Sequence, residues 1–184
     1  MKKTHLILVV FLIVFIHFSC KKEELTLTPL PPNTEIGQNT FIFRINGGNI
    51  ISSKVEYLST SPRIHVFYNH DDPYFNGKHH FELEGGILYL EEHKFMFFSI
   101  DNMISEGVCH LSDYGSSATY LDKNTIYLNS NNTGELDITK LDTTNHIISG
   151  SFKFDAKNSQ SEDIITVDGQ FDVKYKPNEG VNYY

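Results

Sequence analysis

Residues 164–175 alternate with a period of two. Ile165, Val167, Phe171, Val173 and Tyr175 fall on one face, and Thr166, Asp168, Gln170, Asp172 and Lys174 on the other. Side chains alternate across a β-strand, so such a segment can bury only one side of a sheet. A helix cannot use that pattern. This end of the chain is therefore committed to an antiparallel sheet with one covered face and one wet face.

The same pattern recurs upstream. Ile148, Phe152 and Phe154 oppose Ser151, Lys153 and Asp155, and Phe41, Phe43 and Ile45 oppose Ile42 and Arg44. Asn46-Gly47-Gly48-Asn49 supplies a turn whose glycines accept positive φ. Further short strands are expected at 50–57, 63–69, 79–84, 87–92, 94–101, 108–111, 125–129, 135–141 and 147–156, with Gly85-Gly86 dividing 79–84 from 87–92. Residues 94–100 are apolar on both faces, as in a strand covered on both sides or in a binding surface. No segment holds a helical period. Regular short strands with turn signals predict an all-β domain over 39–176, an antiparallel β-sandwich or alternatively a β-barrel, with 177–184 as a tail.

The first residues follow a different logic. Lys2 and Lys3 precede an apolar run from Leu6 to Ile16, and Ser19-Cys20 closes it. The order of cationic start, short apolar core and small residue marks residues 1–19 as a signal peptide. The core is too short to span a bilayer comfortably. Ser19-Cys20 resembles the lipobox of bacterial lipoproteins, which implies that Cys20 is acylated and becomes the mature N-terminus, held in the outer membrane. Lys22-Glu23-Glu24 resembles the export signal that carries Bacteroidota lipoproteins to the cell face; the alternative is the periplasmic face. Residues 20–38 carry Pro29, Pro31 and Pro32 and read as a flexible tether reaching at most roughly 60 Å, at about 3.3 Å per residue.

Without the leader the chain has thirteen basic and twenty-three acidic side chains, so its charge moves from −8 to −10. An acidic domain is a poor fit to nucleic acid, and the membrane is expected as a partner only through the lipid. With Cys20 acylated, Cys109 is the sole thiol and no internal disulfide can form. Stability must come from a core in which Phe and Tyr, 11 and 10 of them after the leader, stand in for the absent Trp.

The C-terminal third reads Thr133-Gly134-Glu135-Leu136-Asp137-Ile138-Thr139-Lys140-Leu141-Asp142, then residues 147–156 with Ile147-Ile148-Ser149-Gly150-Ser151-Phe152-Lys153-Phe154, then Gly169-Gln170-Phe171-Asp172-Val173. This ending resembles a family of Bacteroidota lipoproteins known only as a domain of unknown function, as does the early Phe41–Gly47 segment. The resemblance implies an extracytoplasmic β-domain and supplies no activity. Gly150 and Gly169 are expected at bulges or close-packing positions.

Six histidines, His65, His70, His79, His80, His93 and His110, lie in the middle of the chain near Asp71 and Asp72. Imidazole and carboxylate together bind zinc-like ions, and His70, His79, His80 and His93 are weak candidates for such a site. No ligand spacing of a known site is present, and adjacent His79 and His80 must point to opposite faces of a strand. Polar surface histidines explain them more simply. No nucleophile elbow or phosphate-cradling loop occurs. Cys109 is expected buried and inert. Asp137, Asp142, Asp155 and Asp172 are expected on wet faces or turns. Asp142-Thr143-Thr144 resembles the O-glycosylation motif of exported Bacteroidota proteins, with Thr143 as the acceptor.

The expected role is a lipid-anchored binding module for a glycan or a protein, with no catalytic residue and no cofactor assigned. The alternatives are a metal-dependent hydrolase using the central histidines and a structural subunit of an envelope complex. A glycan binder requires an exposed aromatic platform, a hydrolase requires converging histidines, and a subunit requires an apolar patch.

Overall fold

A computed structural model describes residues 29–54, 63–72, 78–88, 93–103, 105–112, 115–129 and 133–175. Among these the regular structure is all strand: β1 Thr40–Ile45, β2 Ile51–Lys54, β3 Arg63–Asp72, β4 Lys78–Leu88, β5 His93–Asp101, β6 Gly107–His110, β7 Ser117–Asp122, β8 Thr125–Asn129, β9 Glu135–Asp142, β10 Ile147–Asn158 and β11 Ile164–Lys174. All pairings are antiparallel. They form one sheet in the order β2-β1-β11-β10-β8-β7-β5-β4-β3, curled into a half-barrel. The all-β antiparallel class is the one that the alternation predicts. The two halves of the curled sheet face each other across the core, as the layers of a sandwich do, while β10 and β8 keep them continuous.

β10 and β11 form the spine, paired from Ile147↔Lys174 to Lys157↔Ile164. The other edge of β10 is divided. Its first residues pair with β9 and its last, Ala156–Asn158, pair with β8. β6 then adds to β9, so the sheet branches there. A bulge between Ser149 and Gly150 breaks the β9 register. The Asn46-Gly47 turn forms as the sequence predicts, with both residues at positive φ (50° and 68°), and hands the chain from β1 to β2.

Phe41, Phe43, Phe81, Leu83, Met96, Phe98, Phe152, Phe154, Val167, Phe171 and Val173 all point inward and are buried. Rings from opposite halves interlock: Phe98 meets Phe152 at 4.7 Å, Phe43 meets Tyr120 at 6.0 Å, and Phe81 stacks on Phe171 at 6.1 Å. Each such pair adds about 0.5–1.5 kcal/mol beyond the area it buries.

Three expectations change. Gly85-Gly86 does not separate one strand from the next; β4 runs through it, and neighbouring atoms leave room only for bare backbone there. A Cβ on Gly85 would collide with the Phe41 ring, and one on Gly86 would collide with the Lys94 carbonyl oxygen. β7 has no counterpart among the expected strands: only Ala118 and Tyr120 of its residues are buried, too short an alternation to register. The fastened portion of the chain also begins before residue 39. Residues 31–38 form no strand, yet Gln170 Nε2 donates to the Pro31 carbonyl at 2.6 Å, and residues 34–38 hydrogen-bond to β11.

Candidate functional site

Cys20, Lys22, Glu23 and Glu24 lie outside the described residues. Thr143 is exposed in the turn after β9, where the Asp142 carboxylate accepts the N–H groups of Thr144 and Asn145. The histidines are scattered. His93 is exposed at the start of β5, whereas His80 lies opposite Asp101 at its end. Eight residues of strand separate those points, about 27 Å at 3.4 Å per residue. His79 turns to the core side, its ring 6.5 Å from Tyr68, and His80 to the outer face. His70 lies in β3. Among the described residues no group of three or more His, Cys, Asp or Glu side chains is placed to hold a metal ion.

His80 corrects the expectation of surface histidines. It is only 2% exposed although it sits on the outer face. Its Nδ1 lies 2.8 Å from Asp101 Oδ1 on β5 and its Nε2 lies 3.0 Å from Glu82 Oε1, two residues along β4. The alternation that sends Phe81 and Leu83 inward sends His80 and Glu82 outward together. Burial pushes the imidazole toward its neutral form. The hydrogen bonds and charges of Glu82 and Asp101 outweigh that, and the pKa stands above 6.5. Both ring nitrogens are engaged by carboxylate oxygens, an arrangement that favours the protonated ring and suits holding Asp101 rather than ligating a metal.

Asp101 opens onto a cleft of about 290 Å³ between the end of β5 and β6. Its walls include Asn102, Ser105, Glu106, Ser116 and Cys109. Cys109 is half-buried, packed against the core while also lining this cleft.

A second surface lies on the outer face of β5, β7 and β8. The register lines up Phe95, Leu121 and Ile126 in one cross-strand row. Phe97, Thr119, Leu128, Lys157 and Ile164 form the next. Ile126, Leu128 and Ile164 are 44%, 48% and 54% exposed, and Phe95, Phe97 and Leu121 are half-buried. Of the two readings of residues 94–100, this favours the binding surface: Met96, Phe98 and Ile100 enter the core while Phe95 and Phe97 face outward. Glu84 flanks the row, and burial holds its carboxyl above the usual carboxylate range.

Asp172, expected in solvent, is fully buried. Its carboxylate accepts bonds from Thr34 Oγ1 at 2.6 Å, from the backbone N–H groups of Ile36, Gly37 and Gln38, and from Ser149 Oγ at 2.7 Å. The segment before β1 folds over this outer position and brings the donors with it. Burial alone would raise the carboxyl; these bonds bring it below 3.8.

Residues 104–174 match a family described as a domain of unknown function (DUF6252). The match spans β6 to β11, less than half of the 184-residue chain. It contains Asp172, β6 and the exposed side chains of β8, and it stops short of His80. No curated protein and no solved structure gives a significant match.

Proposed function

We propose that this chain is a lipid-anchored envelope lipoprotein of the Bacteroidota type, displayed on the cell surface and acting as a binding module for another protein. Cys20 is its acylated N-terminus, Lys22, Glu23 and Glu24 form its export signal, and Thr143 is its glycan acceptor. The leader and the motifs of residues 1–24 support the anchor. The outer face of β5, β7 and β8 supports a protein partner, and one observation carries that choice: its most exposed large apolar side chains, Ile126, Leu128 and Ile164, are aliphatic, while its aromatics Phe95 and Phe97 are half-buried. Among the described residues, Ile36, Val108, Ile126, Leu128 and Ile164 are the exposed large hydrophobics, and none is aromatic. Sugar rings stack on exposed aromatic faces, whereas aliphatic patches with a charged rim fit protein surfaces. The partner is therefore a protein presenting an apolar patch to a face whose Lys157 is already paired with Glu162 at 2.6 Å. Among the described residues the hydrolase alternative gains no supporting geometry: His93 opens β5, and His80 on β4 faces the far end of β5.

Photo-crosslinking from position 128 in intact cells tests this. The expected result is one discrete heterologous adduct, lost with Ile126→Lys and with the unanchored Cys20→Ala, and absent when the crosslinker replaces the exposed Gln160. An adduct of twice the chain's mass would put a second copy on the face and overturn the reading. Equal labelling from positions 128 and 160 would reduce the face to ordinary surface.

A further inference from the structure

We propose that β6 offers its free edge to an extended peptide carrying a basic residue. This is independent of the outer face of β5, β7 and β8.

In an antiparallel pair, residues alternate between those that exchange hydrogen bonds with the partner strand and those whose N–H and C=O groups turn to the other side. The phase is fixed in β6. The Leu111 N–H donates to the Gly134 carbonyl at 2.9 Å, just beyond the His110↔Glu135 pair. Counting back by two, Cys109 and Gly107 bond to β9. The backbone polar groups of Val108 and His110 therefore point away from β9, to the side where, among the described residues, the sheet order gives β6 no further strand.

The cleft lies on that side. Val108 and Cys109 send their side chains to opposite faces, yet both line it along with Gly107. The cleft thus adjoins the first three residues of β6. The far wall is the end of β5, so the cleft is a gap in the sheet, bounded by a strand edge and open to solvent. An added strand would donate and accept at Val108 and His110, as peptides do at other exposed sheet edges. The edge is only four residues long, which limits indiscriminate pairing.

The charge of the gap selects the peptide. Asp101 stands in its wall with Oδ1 held by His80, and Glu106 is fixed by the Leu141 N–H donating to its Oε1 at 3.0 Å. No lysine or arginine is among the described residues lining the cleft. A lysine or arginine side chain entering it meets a lining with two acidic side chains, Asp101 partly offset by His80 and Glu106 tied to β9, whereas an acidic one is repelled.

The full chain in detergent micelles, labelled for amide NMR, tests this with a pair of five-residue probes. Both alternate threonine and valine; one has a central lysine and the other a central glutamate. The lysine peptide should shift the Val108 and His110 amides more than that of Cys109. It should bind at least about tenfold more tightly than the glutamate peptide, a difference of about 1.4 kcal/mol. Val108→Pro removes an N–H that β9 does not use and should abolish binding. Glu106→Gln should narrow the preference to below about threefold, and Leu128→Lys should change nothing. Shifts at β2 or β3 in place of β6, equal binding of both peptides, no binding, or unchanged binding in Val108→Pro would each overturn the proposal.

Discussion

His80 and Asp172 give the fold opposite responses to pH. The folded-state pKa of His80 stands above 6.5. Its contribution to stability is therefore full below that value and fades as pH rises through the folded pKa. Asp172 has a folded-state pKa below 3.8, so its contribution is present above that value and is lost as pH falls through the folded one. Urea midpoints should decline as the pH is raised above about 6.5, and His80→Gln should flatten that decline while leaving the acid limb intact. A wild-type midpoint that stays level over the alkaline range would mean that the imidazole is not charged in the fold. Neither residue announces itself in the sequence. Asp172 sits at a solvent-facing step of a clear alternation, and only the bend of residues 34–38 over it, a contact between distant stretches of chain, takes it out of water. His80 differs: Glu82 two residues on is a visible local partner, but Asp101 comes from the next strand, and register cannot be read from one segment alone.

At the scale of the strand, β10 and β11 follow directly from alternation because one face is mainly apolar and the other mainly polar. β4 does not, because its paired glycines look like punctuation. They are places where another stretch of the chain passes too near for a side chain. Gly86→Ala should cost about 1–3 kcal/mol by chemical denaturation, the usual range for overpacking, because the atom in its way is the fixed Lys94 carbonyl oxygen. Gly85→Ala should cost less, since the Phe41 ring in its way is a side chain with some freedom to shift. A reversed order would place the glycines in a flexible break after all. β8 carries a usable signal: Ile126, Tyr127 and Leu128 are apolar on both faces, as residues 94–100 are. Apolar on both faces has more than one cause, however, burial on both sides or a sticky exterior, and only the pairing of the strands separates them. β6 holds the weakest signal, since its importance lies in backbone groups that every sequence has.

Across the whole molecule, the Asp172 clamp changes what counts as domain and what counts as tether. The hydrogen bond from Gln170 to the Pro31 carbonyl and those from residues 34–38 to Asp172 tie the chain down before β1 begins. With the anchor proposed at Cys20, the stretch left to act as a leash ends near Pro31. It reaches at most about 36 Å at roughly 3.3 Å per residue, not the full length of residues 20–38. This also sets where the folding unit starts. A chain beginning at Pro29 keeps every donor to Asp172. One beginning at Asn39 removes Thr34 and the three backbone N–H groups and leaves a buried carboxylate facing only Ser149 of its present partners. Losing hydrogen bonds to a charged buried group costs about 1.5–3 kcal/mol each at the outset, less whatever water returns to the exposed oxygens. The chain from Asn39 should therefore unfold at a lower urea concentration by an amount equivalent to at least about 2 kcal/mol. Asp172→Asn should reproduce most of that loss in the chain from Pro29 and add little to the chain from Asn39. Matching midpoints for the two chains would show that residues 31–38 rest on the sheet without holding it, and would return the leash to its full length.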